Sequence, residues 1–154
     1  MAEKHLSDGM IEAGASFLSK LDEFGLSPES AGWLYDTARS DWRYLVASAA
    51  IDVVGRRKIY GAIIDLFEVF DFGDDLTSMD VHLVSPREQW YVIMRGAVSV
   101  SGASRARIRR SNLNGIHIED ALVYRFFAPP AAAKLERQAN MFAKKAHKAA
   151  ELAS

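Results

Sequence analysis

The chain of 154 residues contains no cysteine. Disulfides, zinc-thiolate sites and thiol nucleophiles are therefore excluded, and redox chemistry by the chain itself is not expected. The N-terminal segment Met1–Asp8 lacks the apolar core of a signal peptide, and the longest apolar run, Tyr44–Ile51, is too short to span a membrane. These absences predict a cytoplasmic protein that does not associate with membranes.

The sequence motifs of the common enzyme classes are also absent. No Gly-x-Ser-x-Gly sequence, P-loop or dinucleotide-binding fingerprint occurs. Asp71-Phe72-Gly73 spells the kinase tripeptide, but the companion motifs are missing, and we interpret it as a coincidence. We therefore predict no cofactor and no resident metal, and the sequence favours a non-catalytic protein.

What the chain does have is an uneven division of charge. Residues 1–80 hold 7 Lys/Arg against 15 Asp/Glu, whereas residues 81–154 hold 12 against 5. An acidic half is thus joined to a basic half, although the net charge is only -1. A division of this kind shapes the long-range field and steers charged partners, but it does not determine the fold.

The pattern of apolar residues predicts an α+β fold. We expect one domain over residues 1–128, with N-terminal helices packed on a four-stranded antiparallel sheet, and a basic, Ala-rich C-terminal helix over residues 129–154. Ser7 and Ser27-Pro28-Glu29 resemble helix starts. The predicted helices cover about 7–24, 28–54 and 57–70.

Four segments rich in branched and aromatic residues are predicted as strands, at about 79–84, 90–100, 104–113 and 116–127. Asn114-Gly115 favours a two-residue hairpin turn between the last two. Pairing outward from that turn sets Arg109 against Asp120 and Arg110 against Glu119. Ser85-Pro86-Arg87-Glu88 is also a capping box, so residues 86–97 stay open to a helical interpretation.

One candidate binding surface lies on the strand Arg105–Arg110. Arg105, Arg107 and Arg109 alternate along it beside Tyr124, and arginines next to an aromatic ring suit phosphate or acidic partners. The competing interpretation is that Asp120 and Glu119 neutralise part of this strand and that the other arginines only solvate it.

A second candidate surface lies on the C-terminal helix. Its apolar residues form a narrow seam of mainly small side chains, which allows close approach to another helix. Its opposite side carries the candidate binding residues Lys144, Lys145 and Lys148.

A catalytic hypothesis rests on two pairs of residues. Asp80 and His82 lie two apart on one predicted strand, and His117 and Glu119 lie two apart on another, so each pair shares a face. If these faces met, the four groups would suit a transition metal or general acid/base chemistry. Nothing in the spacing requires the two strands to meet, and Glu119 has another partner in Arg110.

A pocket hypothesis rests on the order of the elements. Helices followed by a curved antiparallel sheet resemble the cone-shaped folds of the nuclear transport factor 2 type, and that resemblance implies a small-molecule pocket with polar residues directed into it. The candidate pocket residues are His82, Trp90, Tyr124 and Arg125. A ligand carrier, a hydrolase or an isomerase is consistent with such a pocket.

Three functions follow from these observations. The first is a non-catalytic interaction protein that uses its charge-segregated surface and C-terminal helix to bind a protein partner or itself as a homodimer. The alternative is the small-molecule pocket. The third is nucleic-acid binding through the arginine strand, which the acidic half would oppose.

Overall fold

The computed structural model describes residues 5–97, 105–126 and 132–154. These residues form an α+β fold with five helices and a five-stranded mixed sheet. The helices are α1 (Asp8–Glu23), α2 (Ala50–Val54), α3 (Arg56–Val69), α4 (Gln89–Arg95) and α5 (Ala132–Ala153). The strands are β1 (Ser30–Asp36), β2 (Asp41–Ala47), β3 (Val81–Val84), β4 (Ala106–Leu113) and β5 (Ile116–Phe126), in the spatial order β3-β2-β1-β5-β4.

The prediction of one long helix over 28–54 was wrong, because most of that segment is the β1–β2 hairpin. In β2 the buried residues Trp42, Tyr44 and Val46 recur every second position, and Trp33 of β1 pairs with Tyr44 of β2. Asp36 begins the connecting turn by accepting the backbone N–H of Ala38 on its Oδ1 at 3.0 Å. Only α2, at the end of the segment, is helical.

The prediction of a strand over 90–100 was also wrong where the structure describes it, and the helical alternative is correct there. The backbone N–H of Ser85 donates to the Glu88 carboxylate at 2.9 Å, and the N–H of Arg87 donates to the Ser85 hydroxyl at 3.1 Å. These bonds satisfy donors next to the start of α4. Residues 98–100 lie outside the described residues.

The sheet therefore has one strand more than predicted, and it is mixed. The chain leaves β2, passes through α2 and α3, and returns as β3. This long crossover allows β3 to pair with β2 in the parallel direction.

Two of the predicted strands form the predicted hairpin. Arg109 pairs with Asp120 across β4 and β5, and the turn residues Asn114 and Gly115 both have positive φ.

The order of elements does not match the one on which the resemblance to cone-shaped folds rested. Two strands lie between α1 and α2, so the helices do not all precede the sheet. Among the described residues, no helix is both long enough and apolar enough to cross a membrane.

The two faces of the sheet are covered very unequally. On the first, here called the helical face, α1, α3 and α5 bury a large core around Phe17, Tyr44 and Phe142. On the second, here called the cavity face, a smaller cluster packs under the seven residues of α4, including Tyr91 and Met94. A short helix cannot cover five strands, and the cavity face is where open space remains.

Three aromatic side chains attach α1 to the helical face. Trp33, Tyr44 and Tyr124 donate hydrogen bonds to the α1 backbone carbonyls of Met10, Gly14 and Ile11 at 2.9, 2.8 and 2.7 Å respectively. Gly14 permits this close approach, because a Cβ there would lie 2.5 Å from the Tyr124 hydroxyl. The position of α1 on the sheet is thus fixed by specific polar contacts.

Helix α5 packs against α2 and α3 of the same chain. Its apolar seam is buried, with Ala139, Phe142 and Ala146 fully inaccessible to solvent. The pairing also brings the acidic and basic halves of the sequence together: the His147 ring lies 3.7 Å from the Asp65 carboxylate of α3.

Candidate functional site

A cavity of about 120 Å³ lies between α4 and the cavity face of the sheet. Its wall is formed by β1, β2 and β5 together with Val84 of β3, Ile108 of β4, and Trp90, Tyr91 and Met94 of α4. Except for Ser30 and His117, the lining side chains are apolar or aromatic. The cavity therefore suits an apolar group, and its volume is comparable to that of a cavity that binds one benzene ring (about 150 Å³).

Helix α4 closes the inner part of this cavity through Tyr91. The Tyr91 ring is fully buried and stacks on Phe126 of β5, with ring centroids 4.4 Å apart and an interplanar angle of 15°. Burial raises its pKa, and the side chain of Ser30 forms a hydrogen bond with it. Ser30 and Tyr91 thus place a satisfied polar pair at one end of an otherwise apolar wall.

A buried carboxylate stands directly behind that polar pair. Glu29 is 3% exposed, and its Oε2 accepts the backbone N–H of Ala49 at 2.8 Å. Burial raises the pKa of Glu29 to about 7, although the hydrogen bond from Ala49 acts in the opposite direction. This group supports the junction between β2 and α2, and it does not line the cavity.

At its other end the cavity continues into an open cleft with a polar rim. Trp90, His117 and Leu34 line both spaces, which makes them one continuous site. The charged and titratable residues of the cleft are Tyr35, Asp36, Arg43, His82, Glu88, His117 and Glu119. The site as a whole is an apolar chamber with a polar entrance.

Three ion pairs lie at the cleft: one joins β2 to β1, one lies within β5, and one joins α3 to the residue before α4. Arg43 Nε lies 3.1 Å from the Asp36 carboxylate, His117 Nε2 lies 3.1 Å from Glu119 Oε2, and Arg56 lies 3.9 Å from Glu88. Arg43 Nε is buried and, despite the nearby carboxylate, has no hydrogen-bond partner of acceptable geometry among the described residues. Arg43 is therefore held beside Asp36 by charge attraction rather than by a well-aligned hydrogen bond.

The sequence-predicted catalytic set is brought together only in part. His82, His117 and Glu119 all line the cleft. Asp80 does not: its carboxylate accepts the backbone N–H of Thr77 at 2.8 Å, as part of the turn before β3. Within the described ranges, no group of three or more His, Asp or Glu side chains is placed to hold a metal ion.

The predicted pocket residues divide between the two faces. Trp90 and His82 line the site, whereas Tyr124 and Arg125 face the helices on the other side of the sheet. Arg125 forms a two-point ion pair with Asp22 of α1, at 2.8 and 2.7 Å. A β-bulge opposite Ala31 and Gly32 breaks the alternation of β5, so that Tyr124 and Arg125, although consecutive, both face the helices.

The arginine strand is largely engaged within the protein. Arg107 forms a two-point ion pair with Asp120 at 2.7 and 2.8 Å, and the Arg105 guanidinium lies 5.3 Å from the centre of the Tyr124 ring. Arg109 approaches the same Asp120 carboxylate at 3.8 Å, and Arg110 lies 3.5 Å from Glu119. Phosphate groups would have to compete with these carboxylates.

The lysines of α5 remain at the surface. Lys144 and Lys148 are exposed, and Lys145 is also exposed but lies 3.5 Å from the backbone carbonyl of Glu23 and 5.9 Å from the Phe24 ring centre. Because α2 and α3 cover the apolar seam of α5, a partner would meet the outer side of the helix, which carries these lysines together with the exposed Met141 and Leu152.

The sequence interpretation missed Ser30, Tyr91, Arg43, Asp36 and Glu88. Arg43 had a signal, since it lies between the buried residues Trp42 and Tyr44, and an alternating pattern would have placed it on the opposite face.

No protein-family model, curated protein or solved structure matches this chain.

Proposed function

We propose that this protein binds a small molecule with an apolar group in the cavity between α4 and the sheet, and with a polar end at the cleft. The observation that carries the proposal is the continuity of the two spaces: an apolar wall on the inside and a polar rim share Trp90 and His117. An apolar enclosed chamber with a few convergent polar groups is the usual design of a ligand site.

The apolar lining of the cavity supports this proposal. An apolar group bound there would remove its own surface and that of the lining side chains from water, and it would add dispersion contacts with the wall.

The test is a calorimetric titration of the full chain with 2-phenylethanol, a ring of matching size with a neutral polar end. We expect saturable binding that Ala121→Leu abolishes, since Ala121 lines the cavity and the added carbons occupy it. The matched control is Ala153→Leu, which adds the same atoms at an exposed position near the end of α5 and should bind normally. Binding that Ala121→Leu leaves unchanged would contradict the proposal.

Partner binding through the basic side of α5 is the second candidate, favoured by the exposure of Lys144 and Lys148. Such a surface supplies steering and salt dependence more than affinity. Light scattering at low and high salt tests the homodimeric form: an assembly that salt and Lys144→Glu/Lys148→Glu both weaken would support it, and a monomer under all conditions would contradict it.

A further inference from the structure

Two shallow grooves of opposite charge lie side by side on the surface formed by α1, α3 and α5. The first, here called the basic groove, runs between the end of α1 and the outer side of α5, and its lining residues are Phe24, Gly25, Arg137, Gln138, Met141 and Lys145. Arg137 and Lys145 lie eight positions apart on α5, which is about 12 Å along the helix axis. Met141 lies between them and is 56% exposed. The basic groove thus combines apolar surface with two cations.

The second groove, here called the acidic groove, lies at the end of α3 and along the segment that follows it. Its charged lining residues are Glu68 and Asp71, and the half-buried Phe67 and Phe70 contribute apolar surface. Phe70 makes an edge-to-face contact with Phe24, with ring centroids 5.7 Å apart. Because Phe24 lines the basic groove and Phe70 lines the acidic groove, the two grooves form one continuous surface.

The four charges of this surface remain available to a partner. Arg137, Lys145, Glu68 and Asp71 are all exposed, and none forms an ion pair with another residue in the described ranges. Lys145 contacts a backbone carbonyl and an aromatic ring at the end of α1, and Asp71 accepts a backbone N–H of its own turn at 2.8 Å. A partner can therefore meet these groups without breaking an internal ion pair, in contrast to the paired arginines of β4.

A surface with an acidic groove beside a basic one is complementary to itself. A rotation of 180° about an axis near the Phe24–Phe70 contact exchanges the two grooves, so that opposite charges face each other twice. A foreign partner of one sign would be attracted by one groove and repelled by the other, whereas a second copy of this chain fits both.

We propose that this surface is the interface of a homodimer, in which the two cations of each copy face the two carboxylates of the other and the partly exposed rings lie between them. This inference rests on the homodimeric form of the second candidate function, for which it names the surface, and it does not depend on the cavity. It also gives the divided charge of the sequence a use, because Glu68 and Asp71 belong to the acidic half and Arg137 and Lys145 to the basic half.

Sedimentation velocity on the full chain, over a concentration series at low and high salt, tests the proposal. We expect a concentration-dependent dimer that salt weakens. Glu68→Lys/Asp71→Lys makes both grooves basic, and Arg137→Glu/Lys145→Glu makes both acidic. Each variant alone should dimerise at least about tenfold more weakly, because two-fold symmetry doubles every lost pair and repulsion replaces attraction.

Mixing the two groove variants is the most specific arm of the experiment. An equimolar mixture should restore the dimer as a heterodimer, since the acidic grooves of one variant then meet the basic grooves of the other, and restoration also shows that both variants are folded. The matched control is Arg39→Glu/Arg57→Glu, which makes the same change of net charge as Arg137→Glu/Lys145→Glu at exposed positions outside both grooves. The control should dimerise like the unmodified chain and should not pair with the variant that has two basic grooves.

The possible failures are distinguishable. A dimer that both groove variants leave intact, but that Lys144→Glu/Lys148→Glu weakens, would overturn this interface and leave the second candidate function standing. A monomer at every concentration and salt would overturn both this interface and the homodimeric form of that function. The cavity proposal is tested separately by the titration with 2-phenylethanol.

Discussion

Filling the cavity from the protein side should stabilise the fold. Ala121 is 4% exposed and lines the chamber between Leu34 of β1 and Ile108 of β4, with which it pairs. Ala121→Leu adds three buried carbons, which contribute up to about 2.4 kcal/mol by transfer free energy alone. The cavity of about 120 Å³ has room for these three carbons.

The comparison variant is Ala62→Leu, which makes the same change where no space exists. Ala62 is 3% exposed in the core between α3 and its neighbours, and overpacking there should destabilise the fold by about 1 to 3 kcal/mol. Urea unfolding followed by circular dichroism measures both. We expect Ala121→Leu to raise the free energy of unfolding by about 1 to 2 kcal/mol and Ala62→Leu to lower it. Equal destabilisation by both variants would refute the reasoning, since it would show that the cavity face is as tightly packed as the helical face.

Two further predictions concern stability. Gly14→Ala should lower the free energy of unfolding in urea by roughly 1 to 3 kcal/mol, because its Cβ would meet the Tyr124 hydroxyl and Trp33. The control Gly61→Ala, at an open position of α3, should raise it by up to about 1 kcal/mol. Stabilisation by both variants would contradict the docking of α1. The pKa of Glu29 is about 7 in the folded protein and 4.5 in the unfolded chain, so the folded state binds this proton more tightly. Protonated Glu29 therefore stabilises the fold. This contribution to the free energy of unfolding declines by at most about 3 kcal/mol as the pH rises from about 4.5 through 7. Glu29→Gln keeps an oxygen for the Ala49 N–H and removes the titration, so its stability relative to the unmodified protein should increase between pH 5 and pH 8; a difference that does not change with pH would refute this.

Local signals in the sequence were sufficient for the elements that depend on neighbours in the chain. The Asn114-Gly115 turn fixed the register that sets Arg109 opposite Asp120, and α1 lies within the expected range 7–24. The β1–β2 hairpin was missed because Ser27-Pro28-Glu29 resembles a helix start. In the structure Ser27 has positive φ and Glu29 instead holds the N–H of Ala49, a contact between residues 20 positions apart.

The site was less predictable, because it is assembled from distant segments. Ser30, Trp90 and Ile118 lie in one wall because β1 pairs with β5 and α4 packs over both strands. No local sequence pattern encodes these long-range pairings. Strand alternation alone would place the consecutive residues Tyr124 and Arg125 on opposite faces, but a bulge opposite Gly32 lets both face the helices. A Cβ at Gly32 would lie 2.5 Å from the Leu122 carbonyl oxygen, so this close approach of the strands needs glycine.

The division of charge along the sequence has a different meaning in the folded chain. Arg125 of the basic half pairs with Asp22 of the acidic half, and His147 approaches Asp65. Ion pairs between the two halves of the chain thus neutralise part of the charge asymmetry, and only the remaining charges can steer a partner.

The most direct measurement of the central claim is an intermolecular NOE experiment on the full chain with 2-phenylethanol. The account predicts NOEs from the ring protons to the methyl groups of Ala47, Ile108 and Ala121, which line the cavity face, and none to Ala62 or Leu66 of the helical face. Ring contacts confined to the helical face or the outer surface, or a saturated complex with no contact to the cavity methyls, would contradict it.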